Sequence, residues 1–106
     1  MSKGETKLAI LAARKLRSRW GEDLPEVVEK LAVSGTARAD HFSVGQVSTA
    51  RLLLRAAALI STMNQESCGP EEMRKRAWET LTQQHPKQET IIAIIVDTVI
   101  GCLPMK

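Results

Sequence analysis

The segment from residue 91 to residue 103, IIAIIVDTVIGCL, most constrains the fold, because only Asp97 and Thr98 in it are neither apolar nor glycine. Its length and its many β-branched side chains fit either a strand or a buried helix. The rest of the chain offers no second strand candidate, and an isolated strand would leave its backbone donors without partners. We therefore predict a helix that is buried on all sides.

A membrane-spanning role does not fit this segment. A helix of this length extends about 20 Å, whereas a bilayer requires roughly 20 residues. The N-terminal run LAILAA is too short for the core of a secretion signal, and the basic stretch RKLRSR follows it directly. Cys68 and Cys102 belong to no metal or redox motif, which is typical of a reduced intracellular protein. We expect a cytoplasmic location and no membrane partner.

Helical patterns extend over most of the remaining chain. The first predicted helix covers residues 5–20 and ends at Gly21; a short one follows, with Asp23 as N-cap. A third helix is predicted over residues 44–63, with Ser43 as its N-cap and Gln46 three residues later at capping-box spacing, and a fourth begins at Pro70. With few aromatic residues, the core must be aliphatic, which suits helix packing. We predict one all-α domain, residues 1–106, built as a small bundle of about five helices.

Two of these helices are too apolar to be covered completely within a five-helix monomer. Surplus apolar surface on a soluble protein usually marks an interface, so we expect a homodimer or a standing partner protein, with the last or the third helix at the seam. The residues predicted for a dimer seam are those of the last helix: Ile92, Ile95, Val96, Val99 and Leu103. Asp97 either reaches the edge, caps a neighbouring helix or pairs with an arginine, for which Arg51 and Arg55 are the candidates, since an unpaired buried carboxylate is costly. The alternative is a monomer with one central helix.

No motif indicates catalysis. The sequence lacks a nucleotide-binding glycine loop, a nucleophile elbow and a zinc-protease helix, and its two histidines, His41 and His85, stand alone. We predict no catalytic residue, no metal ligand and no cofactor, and therefore a protein that is not an enzyme.

Binding to another protein fits the surplus of apolar helix surface. Aromatic and arginine side chains concentrate binding energy, and helix faces are common docking surfaces. The predicted partner-binding residues lie at the end of the first helix, in the loop before the third helix and on the third helix: Trp20, Phe42, Val47, Arg51, Leu54 and Arg55.

A basic N-terminal stretch supports an alternative, a nucleic-acid-associated protein. Residues 1–20 carry six lysines and arginines against Glu5 alone. The candidate phosphate contacts are Arg14, Lys15, Arg17 and Arg19. A helix-turn-helix does not fit, because a loop of about ten residues separates the second and third helices where that motif has three or four.

The ending IIVDTVIGCLPMK resembles the end of the small all-helical quorum-sensing anti-activators. Those proteins also run an apolar helix into a Gly-x-aliphatic-Pro close, here residues 101–104. The resemblance covers about 13 of the 106 residues and transfers no partner-contact residue. It implies a helical, typically dimeric protein that binds a LuxR-type transcription factor. We therefore expect a regulator that inhibits such a factor by masking its dimerisation or DNA-contact surface.

Overall fold

The computed structural model describes residues 3–35 and 42–104, and within these ranges the regular structure is entirely helical. The six α-helices are α1 (Lys3–Lys15), α2 (Arg17–Trp20), α3 (Leu24–Ser34), α4 (Val44–Gln65), α5 (Pro70–Gln84) and α6 (Glu89–Gly101). A short 3-10 helix, Pro86–Gln88, connects α5 to α6. The all-α prediction is confirmed. Part of the predicted loop, residues 36–41 with His41, lies outside the described residues.

The first predicted helix is in fact two helices, so the prediction of one continuous helix over residues 5–20 is wrong. The backbone N–H of Leu16 donates to the carbonyl of Ala13 at 3.1 Å, and this tighter bond ends α1. Leu16 stays buried while the chain turns into α2. Gly21 then ends α2 at a φ of 106°, a backbone conformation that favours glycine.

Local capping signals set the starts of α4 and α5 where the sequence predicted them. The backbone N–H of Gln46 donates to Ser43 Oγ at 3.1 Å, and the backbone N–H of Ser43 donates to Gln46 Oε1 at 3.2 Å. This is the predicted capping box. Pro70 is the first residue of α5, as predicted. Asp23 occupies the N-cap position of α3, although its side chain makes no capping hydrogen bond.

Helix α4 is the centre of the packing, because it contacts α1, α3, α5 and α6. Helix α6 packs against α1, α4 and α5. Alanines on the inner faces of α1 and α4 are fully buried and allow the helix backbones to approach closely: Ala9, Ala12, Ala13, Ala50, Ala56 and Ala57. Leucine, isoleucine and valine fill most of the remaining core, as the composition predicted.

The last helix is confirmed as a helix, but the prediction that it is buried on all sides is wrong. Asp97 lies on an open side of α6, with its side chain 59% exposed. Its Oδ1 accepts a hydrogen bond from Arg74 Nε of α5 at 2.6 Å, so Asp97 does reach the edge and pair with an arginine, but the candidates Arg51 and Arg55 are wrong. The hydrogen bond and charge of Asp97 raise the pKa of the Arg74 guanidinium above its usual value. The pair is therefore a surface link between α5 and α6.

Candidate partner-binding surface

The residues predicted for a dimer seam lie mainly inside the chain's own core. Ile92, Ile95, Val96 and Val99 have no exposed surface, because α1, α4 and α5 cover them. Leu103 alone of the predicted five is half-buried. A seam on α6 would require four side chains to leave the core. This burial favours the alternative in which α6 is covered within one chain.

The predicted partner-binding residues divide between core and surface. Phe42 and Leu54 are buried, and the ammonium group of Lys30 lies 5.2 Å from the centre of the Phe42 ring. Trp20 and Val47 are half-buried, and Arg51 and Arg55 are exposed. The buried pair packs in the core and does not form a docking surface.

The members of that set that are half-buried or exposed on α4 share one side of the helix. Val47, Arg51 and Arg55 recur every four residues, and Val44, which is 76% exposed, extends the same side to the start of the helix. Trp20 lies beside this end, since Gln46 Nε2 donates to the Trp20 carbonyl at 2.9 Å. We name Val44, Val47, Arg51 and Arg55 the α4 face. The sequence analysis did not identify Val44 as a surface residue. The only indication in the sequence was that Val44 precedes the buried apolar residues of α4.

Another apolar surface, which the sequence analysis did not identify, lies between α1 and α3. This α1–α3 groove has a volume of about 410 Å³. Apolar side chains of both helices line it, together with polar residues of α1: Ile10, Leu11, Ala32, Val33, Lys3, Thr6, Lys7 and Arg14. Val33 is 82% exposed and is the most exposed large apolar residue in the described part of the chain. Its helical phase, off the buried stripe of Val27, Val28 and Leu31, was a signal that sequence reasoning could have used.

A second groove meets the first along α1. It has a volume of about 490 Å³ and runs between α1, the end of α4 and the segment after α6. Lys7 and Leu11 line both grooves, and Leu103 lines the second. The outer side of α1 therefore has concave apolar surface on both flanks.

The electrostatics of the α1–α3 groove are one-sided. Lys3, Lys7 and Arg14 line it, and within residues 3–35 and 42–104 none of them has a carboxylate within 4.0 Å. The groove thus combines an apolar floor with a basic edge. Such an edge attracts acidic groups and repels basic ones.

The candidate nucleic-acid contacts do not form one continuous helical row. Arg14 and Lys15 end α1, whereas Arg17 and Arg19 belong to α2, beyond the turn at Leu16. Arg17 Nη1 lies 4.0 Å from Glu22 Oε2, and the Arg19 guanidinium lies 5.8 Å from the centre of the Trp20 ring. Of the four, only Arg14 lines the α1–α3 groove.

The described residues contain neither a metal site nor a membrane-spanning helix. Across the described ranges, no group of three or more His, Cys, Asp or Glu side chains is placed to hold a metal ion. In the same part of the chain, no helix combines the length and apolar character that crossing a membrane requires.

Comparisons with protein-family models, with curated proteins and with solved structures found no match to this chain.

Proposed function

We propose that this protein is a cytoplasmic, non-enzymatic regulator that binds another protein through the α1–α3 groove. The target is inhibited sterically, because the regulator covers a surface that the target needs for dimerisation or for DNA contact. A LuxR-type transcription factor is the first candidate, on the basis of the resemblance at residues 94–106.

The observation that carries this proposal is the combination of an open apolar groove with an exposed valine and an unneutralised basic edge. A groove between two helices is a common seat for the apolar face of a partner helix. Its volume of about 410 Å³ is large enough for several apolar side chains. The basic edge favours a partner helix with acidic residues beside its apolar face.

A second copy of this chain is a poorer occupant of the groove. If two copies met through the same groove, Lys3, Lys7 and Arg14 of one would approach the same residues of the other. Like charges brought together in this way oppose association. We therefore propose that a homodimer would form through a surface other than the α1–α3 groove.

The test compares one substitution at two exposed valines. Val33→Asp places a carboxylate beside the apolar floor of the groove, and Val44→Asp makes the same change on the α4 face; both positions are exposed, so both variants should fold. Each protein is co-expressed with a LuxR-type activator and a reporter promoter, and each is used for affinity capture from bacterial lysate. We expect V33D to lose repression and the captured partner, while V44D retains both.

The results with V33D and V44D distinguish binding through the α1–α3 groove from binding through the α4 face. Loss with V44D and not with V33D would place the partner on the α4 face that the sequence predicted. Equal capture by wild type and both variants would contradict binding through either surface.

Nucleic-acid association through α1 and α2 is the second candidate, favoured by Arg14, Lys15 and Arg19, which have no carboxylate partner among the described residues. Binding to phosphates weakens steeply as salt rises, whereas an apolar interface changes little. Capture is therefore repeated with nuclease and at raised salt. If nuclease removes all captured proteins, and Lys15→Gln with Arg19→Gln has the same effect, nucleic acid is the partner and the first proposal fails.

A further inference from the structure

A small, partly open cavity lies where α4 passes the end of α5 and the 3-10 helix. Its volume is about 70 Å³, and six residues line it: Ser48, Arg51, Leu52, Arg55, His85 and Gln88. Two of the six are arginines and none is an Asp or Glu. The cavity wall therefore carries two positive charges without a carboxylate of its own.

The polar groups around this cavity have spare hydrogen-bonding capacity. Arg55 Nη1 donates to Gln84 Oε1 at 3.1 Å, which leaves other N–H groups of the guanidinium for a ligand. Gln88 Nε2 lies 3.4 Å from Ser48 Oγ, a long hydrogen bond. His85 Nε2 is buried and has no hydrogen-bond partner in the described part of the chain. Because about 90% or more of buried polar groups in native proteins have a partner, this nitrogen is available to a ligand atom or to a water molecule.

The chemistry of the lining residues selects the ligand class. Guanidinium groups bind phosphate and carboxylate oxygens through charge-assisted hydrogen bonds, often two at a time. An imidazole N–H, a hydroxyl and an amide N–H add further donors of the kind that phosphate oxygens accept. The volume of about 70 Å³ suits a group of a few heavy atoms, far below the range of organic-ligand pockets.

We propose that Arg51, Arg55 and His85 form a binding site for a phosphate group. The group is either free inorganic phosphate or the terminal phosphate of a small phosphomonoester. This proposal does not depend on the protein-binding function, because the site lies between α4 and the segment that follows α5, whereas the groove lies on α1 and α3.

The test is a titration of ¹⁵N-labelled protein with sodium phosphate, followed by NMR, with sodium chloride at equal ionic strength as reference. We expect saturable shifts confined to the amides of residues 48–55 and 84–88 and to the side chains of Arg51, Arg55 and His85. Glycerol 3-phosphate, titrated in parallel, distinguishes the sources. If it binds as inorganic phosphate does, the site accepts phosphomonoesters; if only inorganic phosphate binds, the ligand is the free ion.

Substitutions then assign the shifts to this site. Arg51→Gln and Arg55→Gln should each raise the Kd for phosphate about tenfold, the usual effect of losing a charge-assisted hydrogen bond. Arg51→Lys keeps the charge but loses the forked geometry, so it should weaken binding less than R51Q. The control Lys75→Gln removes one exposed charge on α5 that does not line the cavity and should leave the Kd unchanged.

Three results would overturn the proposal: no saturation by phosphate, shifts that chloride reproduces, or equal weakening by K75Q and R51Q. Circular dichroism establishes that each variant is folded. If R55Q unfolds through loss of the Gln84 contact, R51Q and R51K still decide the outcome, since the described structure gives Arg51 no hydrogen bond or ion pair that its substitution would break.

Discussion

Replacing Ile95 by alanine tests whether α6 stabilises one chain or joins two. Ile95 has no exposed surface and packs on the inner side of α6. The substitution removes three carbon atoms from the core, worth about 0.8 kcal/mol each in transfer free energy. The remaining cavity adds roughly 1 kcal/mol more, so we expect the free energy of unfolding to fall by about 3.5 kcal/mol. For a chain of this size, that corresponds to a melting temperature lower by about 15–25 °C.

The assay is urea and thermal unfolding followed by circular dichroism, over a wide range of protein concentration. Ile94→Ala removes the same atoms from a half-buried position on the same helix and should cost less than half as much. A monomer core predicts melting temperatures independent of concentration for wild type and both variants, whereas a dimer melts at a temperature that rises with concentration. A loss below about 1 kcal/mol for I95A, or a concentration dependence that I95A abolishes, would refute the placement of Ile95 in a monomer core.

Three further predictions concern individual contacts. Gly21→Ala should lower the free energy of unfolding by about 1–3 kcal/mol, measured in urea, because φ is 106° and the new Cβ would lie 2.6 Å from Gln46 Nε2. Gly35→Ala, where φ is 73° and the new Cβ would meet no atom within 4 Å among the described residues beyond its immediate backbone, should cost less; equal losses would contradict a role for Gln46. Ser43→Ala should cost about 1 kcal/mol in thermal unfolding through loss of the N-cap, and Ser43→Asp should restore it. Asp97→Asn should leave the melting temperature nearly unchanged, since its ion pair with Arg74 is exposed and salt-screened; a large loss would mean that the pair holds α5 to α6.

The parts of the fold that sequence predicted well are those that short-range chemistry sets. The capping box at Ser43 and Gln46 and the proline at the start of α5 act within one helical turn, so their residues specify the boundary directly. The helical state of residues 91–100 followed from the absence of any strand partner. The break at Leu16 carries no glycine or proline signal at that position, so the helical pattern passed through it.

The partner-binding surface was harder to predict because apolar content does not distinguish core from interface. Helix α4 is strongly apolar, and this suggested a docking face, but four helices cover it. Asp97 was assigned to Arg51 or Arg55 because the sequence does not specify that α5 is the neighbour that brings Arg74 within reach. The α1–α3 groove depends on the relative position of two packed helices, and the apolar pattern of either helix alone does not specify that position.

The order of the helices along the chain has a consequence for folding during synthesis. Helix α6 packs against α1, α4 and α5, all of which leave the ribosome before it. Until α6 emerges, the apolar side chains of those helices that it covers in the native fold have no native partner. Chains interrupted after α5 would therefore expose this surface, and exposed apolar surface on incomplete chains promotes aggregation and chaperone binding. Completion of α6 is thus the step at which the newly made protein can first close its core.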